Sequence, residues 1–459
     1  MTAMTRVVII GGGPGGYESA LVAAQLGADV VVVDRDGLGG SAVLTDCVPS
    51  KTLIATAELM TEVSGAGELG VTIGGTGGEG GVAVDLARVN QRVLALAQAQ
   101  SEDIEERLVK EGVRIVRGIG RLEGPSRVAV GDETIEADAI LIATGAAPRT
   151  LPTAQPDGER ILTWEQVYAL TETPEHVIVV GSGVTGAEFA SAYLSLGIEV
   201  TLVSSRDRVL PGEDADASAV LEDVLTRRGM HVMSQSRMQS VTRDGDVVTV
   251  SLTDGRSVSG SHVILALGSI PNTAGLGLEE AGVTLDDGGF VQVDRVSRTS
   301  ARGVYAAGDC TGVFMLASVA AMQGRIAMWH FLGDAVAPLD LAKVSSNVFT
   351  APEIATVGWS QTQIDDGSVL AETVMLPLAG NARAKMQGVH DGFVKLFCRP
   401  GTGTIVGGVV VGPRASELIH PITLALSESL TADQLAQTFT VYPSMSGSIA
   451  EAARRLHHL

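Results

Sequence analysis

A short apolar run entering a glycine turn occurs twice in this chain. The first copy is Val7-Val8-Ile9-Ile10-Gly11-Gly12-Gly13-Pro14-Gly15-Gly16, and the second is Val177-Ile178-Val179-Val180-Gly181-Ser182-Gly183-Val184-Thr185-Gly186. Repetition of a whole supersecondary unit constrains an architecture more than any single motif does. In each copy strand-forming residues precede a GxGxxG turn and an Ala-rich helical stretch follows (Tyr17 to Leu26; Ala187 to Leu196). A second apolar strand then comes after Gly27 or Gly197. That is a βαβ unit. Its glycines (Gly11, Gly13, Gly16 and Gly181, Gly183, Gly186) allow the tight turn and let a pyrophosphate approach a helix N-terminus.

Two further echoes divide the chain. Ile140-Leu141-Ile142-Ala143-Thr144-Gly145 and Val263-Ile264-Leu265-Ala266-Leu267-Gly268 are buried strands ending in glycine, followed by Pro148 and Pro271. They read as exits from two sheets, with Thr144, Gly145 and Gly268 as candidate cofactor contacts. The expected fold class is α/β, with two Rossmann-like dinucleotide-binding domains and an α+β C-terminal domain. The first dinucleotide domain is discontinuous, over 1–150 and 272–336, and the second is an insertion over 151–271. The remainder, 337–459, has strand-like runs (Phe393 to Cys398; Ile405 to Val411) and helical stretches (Ala415 to Ser427; Thr431 to Phe439). Gly74 to Gly81 reads as a flexible linker, and Asp85 to Glu111 as one or two amphipathic helices.

Composition narrows the function. Glycine accounts for 56 of 459 residues, which suits tight turns and close backbone approaches. A net charge of −21 would repel a phosphodiester backbone, so nucleic acid is not an expected partner. It argues equally against docking on an anionic membrane surface. No apolar run reaches the roughly 18 residues of a membrane span, and the apolar stretch after Arg6 stops at Gly11, so it is a strand and not a signal peptide. The three cysteines (Cys47, Cys310, Cys398) are an odd number, far apart, with no CxxC spacing. Neither a metal site nor a disulfide framework is expected, and a cytoplasmic location fits best.

The strand-end residues separate the two sites. In the first unit Asp29-Val30-Val31-Val32-Val33 ends at Asp34, a carboxylate at the offset that accepts from a ribose 2′-hydroxyl, as in FAD or NAD. In the second, Glu199-Val200-Thr201-Leu202-Val203 runs into Ser204, Ser205, Arg206, Asp207 and Arg208. Hydroxyls and guanidiniums can donate to a 2′-phosphate that a carboxylate would repel, so NADPH is the expected donor, with NADH possible.

Together with these units, Cys47-Val48-Pro49-Ser50-Lys51 and Tyr305-Ala306-Ala307-Gly308-Asp309 make the chain resemble the pyridine nucleotide–disulfide oxidoreductases over essentially its full length. The resemblance implies FAD in the first site, with Asp309 at the ribitol and Met315, Leu316 and Ala317 along the isoalloxazine edge. It implies a nicotinamide cofactor in the second site and a C-terminal dimerisation domain giving a homodimer. Gly392-Phe393-Val394-Lys395-Leu396 and Gly412-Pro413-Arg414-Ala415-Ser416-Glu417 are the corresponding marks of that domain.

The departures are as informative. The family's redox motif is GGTCxxxxCxPSK; here it runs from Gly39-Gly40-Ser41-Ala42 to Cys47-Val48-Pro49-Ser50-Lys51, and Ala42 replaces the interchange cysteine. Ser41 remains a candidate cofactor contact. Without a local partner for Cys47, relay through a dithiol cannot run as usual. The family's C-terminal HPTxxE is replaced by Tyr442-Pro443-Ser444-Met445-Ser446-Gly447, and His420-Pro421 lies on a different element. Lys51 and Glu188 remain, and in the family they pair near the flavin.

Within the family the pattern looks like the lipoamide-dehydrogenase-like NAD(P)H quinone reductases of the mycobacterial type. The activity so implied is ping-pong hydride transfer from NAD(P)H to FAD and then directly to a quinone. Lys51, Glu188, Tyr442 and Cys47 are the candidate catalytic residues. Tyr442 either donates to the quinone oxygen or fills the vacated histidine pocket, and Cys47 is either an active thiol or a small core residue. A soluble transhydrogenase, a single-cysteine peroxidase or oxidase, and a non-enzymatic FAD-binding subunit are the alternatives.

Overall fold

A computed structural model of the chain describes residues 4–72 and 82–457, so the glycine linker at 74–81 lies outside the described residues. The chain divides into two compact units. One comprises the described residues of Met1–Ser50, Asn90–Arg149 and Gly268–Asp340, and the other those of Lys51–Val89, Thr150–Leu267 and Leu341–Leu459.

The first unit is built on a five-stranded parallel sheet in the order Val304–Ala306, Ala139–Ile142, Arg6–Ile10, Asp29–Asp34, Arg114–Arg117. Alternate residues of its apolar strands face opposite layers. Val7, Ile9, Val30, Val32 and Leu141 pack on Ala20, Leu21 and Ala23 of the helix Pro14–Gln25 and on Ala327 and Met328. Val8, Ile10, Val31, Val33, Ile140 and Ile142 pack on Leu122, Val128 and Ile135 of a small antiparallel sheet and on Leu276 to Val291. The chain returns at Gly268, and Asn272 joins the returning segment to the first. Its N–H donates to Gly145 O (3.0 Å), and Thr144 Oγ1 donates to its carbonyl (2.7 Å).

The second unit repeats the sheet, in the order His231–Met233, Glu199–Val203, His176–Val180, His262–Leu265, Ile161–Thr163. The central strand pairs in both sheets as the duplicated sequence requires, Val7 with Val30 and Val177 with Val200. The outermost strand differs in origin: it follows the unit in the chain in the first sheet and precedes it in the second. The same unit contains an antiparallel five-stranded sheet, ordered Ser345–Val348, Glu353–Gly358, Ile405–Gly412, Phe393–Cys398, Glu372–Pro377. The helix Ala415–Ser427 packs over it through Ile419, Ile422 and Ala425. Lys395 ties this sheet to the second fingerprint region. Its ammonium, 2 % exposed, donates to Asp214 Oδ2 (2.8 Å) and Asp216 Oδ2 (2.6 Å), and Asp214 also caps the helix Ala215–Arg227.

Element bounds move where local chemistry decides them. Both fingerprint helices begin inside the glycine turn, at Pro14 and Val184, because the final residues of each motif already form the first helical turn. The stretch 85–111 is one helix, Leu86–Lys110. The helix expected to reach Phe439 is Ala432–Gln437, with Thr431 as its cap, and Phe439 is fully exposed beyond it.

Candidate functional site

The two glycine turns impose the same steric demands. Gly11 (φ +105°) and Gly181 (φ +113°) lie in the left-handed region, where an added Cβ would collide with the carbonyl oxygens of Ala143 and Ala266. A Cβ on Gly16 or Gly186 would strike the carbonyl oxygen of Gly11 or Gly181. The middle glycines behave differently. The nearest atom to a Cβ on Gly13 is 3.9 Å away, and around Gly183 there is nothing within 4 Å. The protein itself therefore does not require glycine there, whereas a pyrophosphate lying against the backbone would. Neither Pro14–Gln25 nor Val184–Ser195 has a side-chain cap, so their first amides and dipoles remain available to an anion. The cradles fit two dinucleotides.

Asp34 stands buried at the end of its strand. Its Oδ2 accepts from Gly12 N (2.7 Å), and its Oδ1 accepts from Asp36 N (3.0 Å) and Gly37 N (2.6 Å). Three backbone donors hold the carboxylate and leave it lone-pair capacity for a ribose hydroxyl. Asp309 lies beyond Val304–Ala306, its carboxyl pushed up to about 6 by burial and then by the charge of Asp46. Its neighbour Cys310 is fully buried, its thiol pushed up to about 11 by desolvation. Ser41 lies exposed in the short helix Gly40–Leu44. Exposed Met315 and half-buried Leu316 precede the helix Ala317–Leu332, which also lacks a side-chain cap.

The second site corrects two expectations. Ser204 is fully buried, and its hydroxyl pairs with Ser182 Oγ (2.7 Å) and meets the backbone of Arg206. It shapes the turn and does not offer a donor to a 2′-phosphate. Arg208 turns away along the chain, with Nη2 donating to Pro211 O (3.3 Å) and Nε buried without a hydrogen-bond partner. It lines a cavity of about 450 Å³ together with Ala219, Glu222 and Asp223. Arg206 is exposed. Ser182 was not singled out in the sequence, although it sits 22 residues before Ser204 just as Gly12 sits 22 before Asp34. That matched spacing was the signal available. Gly268, with φ +86°, accepts from Arg149 N (2.9 Å).

Lys51 and Glu188 are brought together from 137 residues apart, with Nζ 2.8 Å from Oε2. Glu188 is buried, and its other oxygen accepts the Phe349 N–H at 2.8 Å, so both ends of the carboxylate are satisfied. None of the three cysteines is in a disulfide, and Cys47 begins the helix Cys47–Gly65, in which Lys51 lies one turn on. Tyr442 is 85 % exposed, beside the exposed Phe439 and Val441, and His420 is an exposed helix residue. No helix among the described residues is long and apolar enough to cross a membrane.

A family model described as pyridine nucleotide-disulphide oxidoreductase matches residues 5–324, and one described as its dimerisation domain matches residues 344–453. The chain is 56 % identical to an NAD(P)H dehydrogenase (quinone) of Mycobacterium tuberculosis, covering 99 % of this chain and 94 % of that protein. It is 33 % identical to a dihydrolipoyl dehydrogenase of Zymomonas mobilis, covering 97 % and 96 %. The crystal structure of LpdA from M. tuberculosis superposes with a TM-score of 0.94 at 54 % identity, over 99 % of this chain and 100 % of that one.

Proposed function

This chain belongs to the pyridine nucleotide–disulphide oxidoreductase family, and from that premise we propose that it is an NAD(P)H:quinone oxidoreductase working without a redox disulfide. Membership makes it a flavoprotein oxidoreductase that binds FAD and NAD(P)H. The observation that carries the finer reading is the survival of half of the machinery. Cys47 is in no disulfide and Ala42 stands where the family has the second cysteine, while the Lys51–Glu188 pair is intact. A dithiol relay needs two neighbouring sulfurs, so the acceptor must take electrons directly, and a quinone is planar and diffusible enough to do so. The name of the 56 % identical relative supports that choice.

When bound, the two cofactors supply two-electron hydride chemistry. The chain's own residues do the rest. Asp34 and the amides at the start of Pro14–Gln25 hold the ribose and pyrophosphate of FAD, and Asp309 accepts from its ribitol. The amides at Val184–Ser195 hold the nicotinamide dinucleotide, and Arg206 donates to a 2′-phosphate, giving NADPH preference over NADH. Glu188 holds the Lys51 ammonium in place, and that cation favours negative charge developing next to it. The protein is a cytoplasmic homodimer. Exposed Tyr442 serves the site of the second copy, where its hydroxyl donates to a quinone oxygen. Donor and acceptor react in separate half-reactions, which gives ping-pong kinetics.

Replacement of Cys47 separates this reading from thiol chemistry. Cys47→Ser should retain quinone reduction to within about twofold, because no sulfur takes part in it. Loss of more than tenfold, with FAD still bound, would overturn direct transfer.

A further inference from the structure

One residue touches both members of the Lys51–Glu188 pair. The Phe349 N–H donates to Glu188 Oε1 at 2.8 Å, and the Phe349 ring lies face-on to Lys51, with Nζ 4.9 Å from its centroid. The Lys51 ammonium thus meets both the Glu188 carboxylate and an aromatic face, while the Phe349 N–H holds the carboxylate's other oxygen.

The segment carrying this ring is itself fastened. Two residues on, the Ala351 N–H donates to Ser191 Oγ at 3.0 Å, one turn along the helix from Glu188. Arg228 Nη1 donates to Ala351 O at 3.1 Å, and buried Thr350 donates through Oγ1 to Pro352 O at 2.7 Å. The chain leaving Ser345–Val348 is therefore pinned at successive positions on the helix that begins at the second fingerprint.

A lysine ammonium sits on a flexible four-carbon stem, so each contact it makes narrows the positions it occupies. An aromatic face about 5 Å away favours one of them by roughly two- to thirtyfold. We propose that Phe349 is a positioning residue for Lys51, its ring setting where the ammonium stands and its N–H setting the carboxylate that faces it. This rests on the reading above, that Lys51 supplies the cation beside bound flavin. The backbone contribution would survive any side chain, so the ring can be tested alone.

The experiment compares Phe349→Leu, Phe349→Met, Phe349→Tyr and Lys51→Met as FAD-loaded full-length proteins. It reads FAD content, thermal midpoint, the equilibrium between flavin and a redox dye, and the KM and kcat for NADPH. Leucine and methionine keep the N–H and the apolar bulk but remove the π face, and whichever of them folds with full FAD content serves. The expected result is a flavin–dye equilibrium shifted towards oxidised flavin, and a kcat lowered, by about twofold to thirtyfold. KM should stay within twofold, and tyrosine should restore both quantities. Lys51→Met should shift both further. An unchanged equilibrium in Phe349→Leu or Phe349→Met, alongside a shifted one in Lys51→Met, would overturn the role of Phe349. Losses that tyrosine does not restore would reduce Phe349 to packing and overturn it likewise. An unchanged equilibrium in Lys51→Met would show that the underlying reading of Lys51 had failed.

Discussion

At the end of the first sheet Asp34 accepts the Gly12 N–H at 2.7 Å, and at the same spacing in the second sheet Ser204 meets Ser182, hydroxyl to hydroxyl, at 2.7 Å. The two units share strand order around the fingerprint, left-handed first glycines and open middle glycines. What differs is the charge left at the strand end. The first unit keeps a buried carboxylate; the second closes a neutral hydroxyl pair and leaves an exposed Arg206 beyond it. Both copies keep what the backbone demands, and the side chains at one position differ in what they offer to a ribose.

The largest expected effect falls on what the two units share. Gly16→Ala and Gly186→Ala should each destabilise by more than about 3 kcal/mol, because a carbonyl oxygen occupies the space the Cβ needs. Denaturant unfolding measures this. Gly13→Ala and Gly183→Ala should instead fold normally and lose FAD or nicotinamide-nucleotide affinity respectively. Normal binding in either would mean that the middle glycine has no ligand to answer to.

The next effect falls on the difference. Asp34→Ala strands three backbone donors and should cost about 3 kcal/mol, with loss of FAD, whereas Ser204→Ala should cost only about 1 kcal/mol. Equal costs would erase the contrast. In the second unit alone, Arg206→Ala should weaken binding of adenosine 2′,5′-bisphosphate about tenfold and leave AMP unaffected, since a charge-assisted hydrogen bond is lost. Arg208→Ala should change neither by more than about twofold. Calorimetry decides between the two arginines, and the opposite pattern would return the phosphate to Arg208.

The smallest effect is in pH dependence. Asp309 has a folded-state pKa of about 6, above its ordinary value of 3.8, so its proton favours the folded, unliganded protein. That contribution is complete below about pH 4 and is lost as pH rises through 6. A ribitol hydroxyl donates more strongly to the ionised carboxylate of Asp309 than to its acid form. FAD affinity should therefore fall by up to about tenfold per pH unit below 6 and level off above 7. Asp309→Asn should flatten the profile, as fluorescence titration of the apoprotein would record.

The fold was legible because its strongest determinants are local. Glycines at fixed offsets between an apolar run and an Ala-rich stretch announce both βαβ units without any long-range knowledge. The strand-end position of Asp34 was legible for the same reason, lying at a set distance from its fingerprint. Ser204 and Arg208 were misread because sequence places a residue at a strand end without saying whether its side chain faces the ligand or the core. Phe349 was not singled out at all. Its contact with Glu188 spans 161 residues and leaves no periodicity or spacing to detect. The Lys395–Asp214 contact, 181 residues apart, was hidden in the same way.

The central claim is that electrons leave the flavin without passing through a disulfide, and anaerobic stopped-flow absorbance tests it most directly. Mixing the FAD-loaded protein with NADPH should bleach the flavin at two electrons per FAD. A second mix with a small quinone should restore the colour, whereas lipoamide should not. Reoxidation by lipoamide, or failure of the quinone to reoxidise a fully bleached flavin, would contradict it.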